Sequence, residues 1–204
     1  MDKKEIFIIA GCNGAGKTTA AMTVLPEIIH FTEFINADEI AKGLSPINPE
    51  QSAIDAGKIM LNKIDELVKQ GKSFAFETTL SGKLYADRFI EAQKKGYHTY
   101  LLFLWLPDVE MACERVKSRV LSGGHSIEQD IIRRRYYRGI ENLFDVYMPI
   151  SDEVVIFDNS VSPLDMIAMK SSNNFEIINS KKYKQLVSLH NETSINTKFA
   201  RSNR

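Results

Sequence analysis

Apolar residues recur along this chain in two rhythms. Runs such as Ile6-Phe7-Ile8-Ile9-Ala10 and Tyr100-Leu101-Leu102-Phe103-Leu104-Trp105-Leu106 are continuous. Strands covered on both faces of a parallel sheet require that. Elsewhere Ala53, Ile54, Gly57, Met60, Leu61, Ile64, Leu67 and Val68 repeat at helical spacing until Gly71 ends the run. The pattern predicts strands at residues 5–10, 34–36, 73–77, 99–106 and 152–157. It predicts helices at 18–25, where Pro26 stops the turn, at 39–42, from Asn48-Pro49-Glu50-Gln51 onward, at 83–95 before Gly96, from Asp108 to about Leu121, and after a capping box of Ser126 and Gln129. Strand and helix alternate, which predicts an α/β fold on a mostly parallel sheet. Trp105 is expected to pack in the core. Beyond Ser162 the rhythm weakens, to a late strand at 175–178 and a terminal helix at 181–190. The remainder, 191–204, reads as a polar, flexible tail.

A length of 204 residues suits one domain, placed at 1–190. Lys+Arg and Asp+Glu are both 26, so the formal charge is zero. That disfavours a nucleic-acid partner, a nucleic-acid end kinase included. No apolar run approaches a membrane span. The two cysteines, Cys12 and Cys113, lack metal-ligand spacing. Together these features predict a reducing, cytoplasmic location.

The chemistry concentrates where the first strand ends. Gly11-Cys12-Asn13-Gly14-Ala15-Gly16-Lys17-Thr18 fits the phosphate-binding pattern G-x-x-x-x-G-K-[ST], and Thr19 follows it. Its backbone N–H groups converge at a helix N-terminus, where anions bind. Lys17 is expected to reach the β- and γ-phosphates and the Thr18 hydroxyl to ligate Mg²⁺. Asp38 lies one βαβ step on, at the carboxyl end of the second strand. It is either a base for an acceptor hydroxyl or the N-cap of a short helix. Glu77, Thr78, Thr79 and Ser81 follow the third strand and suit Mg²⁺-bound waters or acceptor hydroxyls; the alternative is a polar strand end. Arg115 and Arg119 precede Ser122-Gly123-Gly124-His125, and Arg133, Arg134, Arg135 and Arg138 follow it. A glycine hinge between arginine-bearing helices suggests a lid at about 119–138, and a solvated basic face is the other reading. His125 reads as structural or substrate-touching. Asp158-Asn159-Ser160 forms a turn on the same rim, suited to holding a nucleobase.

GCNGAGKTT, INAD, FETT, SGGH…IRRRYYRGIENL and FDNS, in this order and spacing, resemble the zeta-toxin family of P-loop kinases over residues 5–160. The resemblance implies a three-layer α/β P-loop kinase fold: a five-stranded, mostly parallel sheet, helices on both faces and an Arg-rich lid. It implies ATP or GTP as phosphoryl donor with Mg²⁺, and a nucleotide-sugar such as UDP-N-acetylglucosamine as hydroxyl acceptor. An antitoxin protein is the implied partner. Residue by residue, Lys17 matches the phosphate lysine, Thr18 the Mg²⁺ ligand, Asp38 the catalytic Asp and Glu77 the acceptor-side acid. Arg119 and one of Arg134 or Arg135 match the nucleotide-facing pair. A kinase of another metabolite or antibiotic hydroxyl and a nucleotide-dependent protein-binding switch are the competing readings. The missing N-K-x-D motif disfavours a GTPase switch.

Overall fold

The computed structural model describes residues 3–28, 33–124, 126–172 and 174–202, with the backbone alone for 24–28 and 195–202. His125 and part of the connector after the first helix lie outside the described residues. Strand β1 (Lys4–Ala10) leads through the phosphate loop into α1 (Lys17–Ile28), and β2 (Phe34–Ile35) leads into α2 (Ala37–Leu44). A 3-10 turn (Pro49–Ser52), α3 (Ala53–Gln70), β3 (Phe74–Thr78), α4 (Ala86–Lys94) and β4 (Tyr97–Trp105) follow. Then come α5 (Val109–Leu121), α6 (Gln129–Asn142), a π-turn (Leu143–Tyr147), α7 (Met148–Ile150) and β5 (Glu153–Asp158). The chain closes with β6 (Asp165–Ser171), β7 (Asn174–Ile177) and α8 (Ser180–Ser202).

The sheet order is β2-β3-β1-β4-β5-β6-β7. The first five strands run parallel, and β6 and β7 return antiparallel. Register decides where the chemistry falls. Ile9 lies opposite Glu77, and Ile35 lies opposite Phe76. The residues that leave β1, β2 and β3 therefore emerge side by side at the carboxyl edge, where open α/β sheets bind ligands. Beneath that edge, Phe74, Phe76, Phe89, Trp105 and Tyr147 are fully buried. Burying each such ring contributes about 1.5–3 kcal/mol. Phe89 stands 5.9 Å from Phe76 and 5.8 Å from Tyr147, tying β3 to α4 and the π-turn.

Several expectations need correction. The sheet has seven strands rather than five. The addition is β6, whose Asp-Met-Ile-Ala-Met-Lys-Ser carries little β-branched signal, together with β7, close to the late strand expected. β4 alternates buried and half-buried residues from Tyr97 to Leu102. On the half-buried face, Phe7, Tyr100, Leu102 and Val155 line a groove of about 430 Å³. Helix α1 continues past Pro26 to Ile28, because proline in a helix removes one hydrogen bond without abolishing the neighbouring ones. Asn48 and Glu128 make no side-chain cap bond, so neither capping box forms; Pro49 opens a 3-10 turn and α6 begins at Gln129. Helix α4 starts at Ala86 rather than Lys83. Helix α8 continues through the stretch read as a tail, to Ser202. Asp108 and Gly71 act as expected: Asp108 accepts from Glu110 N, and Gly71 closes α3 at φ 70°.

Candidate active site

The phosphate loop leaves a buried strand and enters a helix within six residues, Gly11–Gly16. Gly16 takes φ 80°, a left-handed backbone that side chains rarely adopt. The loop is braced from below: Asn159 Nδ2 donates to Ala15 O at 2.7 Å, and Asn159 N donates to Trp105 O at 2.9 Å. Lys17 Nζ donates to Cys12 O at 3.0 Å. Burial pulls the Lys17 pKa down, and the charge of Glu77 acts against that. Burial pushes the Cys12 thiol up to about 11, so it is inert near neutral pH.

Glu77, 7% exposed, is the penultimate residue of β3, beside the loop. Its Oε2 accepts from Thr18 Oγ1 at 3.1 Å. Its Oε1 is buried and has no hydrogen-bond partner among the described residues. Burial raises its pKa, opposed by Lys17 and the Thr18 bond. An orphaned carboxylate oxygen beside a phosphate-loop threonine fits a site completed by a cation's hydration shell or an acceptor hydroxyl.

Asp38 sits in the first turn of α2 and is exposed. It does not cap the helix. Asn36 does, accepting from Asp38 N at 2.8 Å and Glu39 N at 3.4 Å. The Asp38 carboxylate is therefore spared that duty and faces a polar cavity of about 130 Å³, whose lining includes Asn13, Lys17, Asp38, Glu77, Thr78 and Arg135. Arg135, half-buried on α6, donates from Nη1 to Asn13 Oδ1 at 3.2 Å. Burial lowers its pKa, and Asp38 acts against that.

The other arginines differ. Arg119 is exposed in the last turn of α5, and Arg134 is exposed on α6; neither lines the cavity. Arg133 pairs bidentately with Glu110, joining α6 to α5. Ile132, Tyr136, Gly139 and Ile140 are buried, so α6 belongs to the body of the fold. Sequence reasoning did not foresee the Arg135–Asn13 link or Tyr85 in the lining. The Asn36 cap was legible in Ile35-Asn36-Ala37-Asp38, since Asn is a favoured cap.

Residues 2–164 match the family described as Zeta toxin. The chain belongs to that family. A Haemophilus influenzae relative, itself uncharacterised, is 35% identical over 136 residues, 67% of this chain and 94% of that protein. Among solved structures, the AvrRxo1-ORF1:AvrRxo1-ORF2 complex with sulphate ions superposes at TM-score 0.71 and 15% identity, covering 90% of this chain and 63% of that one. The same complex with ATP gives TM-score 0.66 at 15% identity, again covering 90% and 63%. This chain thus spans less than two thirds of the length of those chains. The PezAT toxin–antitoxin system of Streptococcus pneumoniae gives TM-score 0.63 at 15% identity, covering 96% of this chain and 87% of that one. At such identities these structures bear on the fold, which is that of the zeta-toxin P-loop proteins. In this member β6, β7 and α8 lie wholly outside the matched segment.

Proposed function

We propose that the protein is a kinase that transfers the γ-phosphoryl group of ATP or GTP to a hydroxyl of a nucleotide-sugar such as UDP-N-acetylglucosamine. The observation that carries this reading is one polar cavity lined by a phosphate-loop lysine, two carboxylates and an arginine. A nucleotide switch has no need of a carboxylate aimed at an acceptor. Here Asp38, freed from capping by Asn36, takes the hydroxyl proton as the oxygen attacks phosphorus. Lys17 exchanges the Cys12 carbonyl for phosphate oxygens, and Arg135 lies across the cavity to neutralise the transferring group. Glu77 and Thr78 hold the acceptor side.

Thr18 and the orphaned oxygen of Glu77 suit Mg²⁺, Thr18 as direct ligand and Glu77 through water. Bound there, the ion would supply positive charge to neutralise the phosphates. Arg119, in the last turn of α5, is the second arginine for the nucleotide, since its charge already bears on Lys17. Asn159 holds the loop through Ala15 O, and the turn it belongs to is our candidate for holding the nucleobase. Family membership makes an antitoxin protein the expected partner. No helix among the described residues is long and apolar enough to cross a membrane, and Cys12 and Cys113 are free and buried; both features suit the cytoplasm. Incubation with Mg²⁺, ATP and a panel of nucleotide-sugars, read by mass spectrometry, tests the proposal. A gain of one phosphoryl group on UDP-N-acetylglucosamine is expected. ATP turnover with a different acceptor modified would retain the kinase and replace the substrate.

A further inference from the structure

The helix that presents Arg135 also grips the loop that follows Glu77. On α6, Arg135, Gly139 and Asn142 are spaced by four and three residues, so they share one face. Arg135 meets Asn13 of the phosphate loop. Gly139 meets Thr79: a Cβ there would stand 2.7 Å from the Thr79 carbonyl oxygen, so no larger residue fits. Asn142, buried, donates from Nδ2 to Leu80 O at 2.6 Å. Ordinary helix would next bring Val146 to this face. The π-turn, with its wider i→i+5 spacing, brings Tyr147 instead, whose hydroxyl donates to Gly82 O at 2.7 Å.

The gripped loop is strained. Leu80 is fully buried with φ 52°, a left-handed conformation that a non-glycine residue keeps only where its surroundings enforce it. Its N–H donates to Thr78 Oγ1 at 3.1 Å, so the position of Leu80 bears on that of Thr78. Asn142 is itself a buried amide, a feature that requires a hydrogen-bond partner. We propose that Asn142 is a positioning residue for phosphoryl transfer. It holds the 78–82 loop against the face of α6 that carries Arg135. It thereby sets Glu77 and Thr78 at a fixed distance from the phosphate loop. This rests on the kinase reading above.

Three variants test it. Asn142→Leu keeps the volume and removes the donor. Gly139→Ala keeps every donor and pushes on the Thr79 carbonyl. Both should lower kcat for transfer from ATP to UDP-N-acetylglucosamine by ~30- to 100-fold, the scale of a misplacement near 1 Å, with KM for ATP within about twofold of wild type. Amide exchange at 77–82 should accelerate by ~10-fold or more in Asn142→Leu, while ATP still protects 11–19 as in wild type. Asn142→Asp supplies a donor only when protonated, so its rate relative to wild type should rise as pH falls from about 8 to 6. Unchanged exchange at 77–82 in Asn142→Leu overturns the proposal. So does a rate loss matched by an equal loss of ATP affinity, which is what a merely structural role predicts. If the wild type leaves UDP-N-acetylglucosamine unmodified, the acceptor reading fails, and the exchange comparison still decides the role of Asn142.

Discussion

The two walls of the cavity are built in opposite ways. The phosphate wall is eight consecutive residues, Gly11–Thr18, shaped by the strand before them and the helix after. The opposite wall is assembled from α2, β3 and α6, each contributing one or two side chains. A contiguous wall carries its function in local geometry. An assembled wall carries it in packing, since Arg135 reaches Asn13 only because Ile132, Tyr136 and Gly139 are seated. Damage to the first wall should therefore abolish nucleotide binding along with transfer. Damage to the second should leave binding and remove transfer.

The largest effect should come from Lys17→Ala. Transfer should fall by at least ~10³-fold, since the positive charge that faces the transferring phosphoryl group is lost. Binding of a fluorescent ATP analogue should weaken strongly with Tm nearly unchanged. Unchanged turnover would remove the nucleotide reading altogether. Asp38→Asn sharpens the contrast from the other side. It keeps the shape and leaves the Asn36 cap intact. ATP affinity should stay near wild type while transfer falls by ~10²- to 10⁴-fold, the range for a general base.

Smaller effects should separate the arginines. Arg135→Ala should lower kcat by ~10-fold or more. Arg119→Ala should also reach ~10-fold, with the loss concentrated in a closed, nucleotide-bound state. Arg134→Ala should change kcat by less than about twofold, as expected of a solvated charge. Steady-state kinetics on the three variants decides whether α6 acts through one arginine or through its charge as a whole; equal losses at 134 and 135 would favour the latter.

Much of this was legible in the chain, and the remainder was not for physical reasons. Parallel strands buried on at least one face announce themselves as apolar runs, so β1, β3, β4 and β5 fall close to their expected places. β6 pairs antiparallel and offers Met and Ala in place of β-branched residues, leaving weak periodicity. The cap patterns at Asn48 and Ser126 misled because a capping residue works only when its oxygen meets the right N–H, which sequence does not fix. The choice between Arg134 and Arg135 was within reach. Buried Ile132, Tyr136 and Gly139 mark the inward face of α6, and Arg135 falls three residues after the first and four before the last. The grip of Asn142 on Leu80 was not, because it joins residues 62 apart and follows from no local pattern.

Another small effect tests the comparison itself, because the phosphate wall is also supported from the end of β5. Asn159 braces Ala15, and the residue before it, Asp158, is 1% exposed at the end of β5. Lys182, from the first turn of α8, donates to Asp158 Oδ2 at 2.5 Å and to Asp165 Oδ2 at 2.7 Å. Burial alone would raise the Asp158 pKa. The bonds from Lys182 and Ser160 outweigh it, and the net shift is downward. A carboxylate whose pKa is lower folded than unfolded stabilises the fold above its unfolded value, ~3.9, and that stabilisation is lost as pH falls through the folded value. Wild-type Tm should therefore drop on acidification below about pH 4. Lys182→Met leaves Asp158 buried without its cation and should cost ~2 kcal/mol at neutral pH, less than a fully buried pair because Lys182 is partly exposed. For a chain of this size that is a Tm loss of roughly 4–8 °C by calorimetry. Asp158→Asn should flatten the acid limb of the same curve. If the phosphate wall is truly self-contained, Lys182→Met will lower Tm and leave ATP affinity alone. If instead α8 supports the loop through Asp158 and Asn159, the ATP analogue will bind about 2- to 5-fold more weakly, a change of under ~1 kcal/mol.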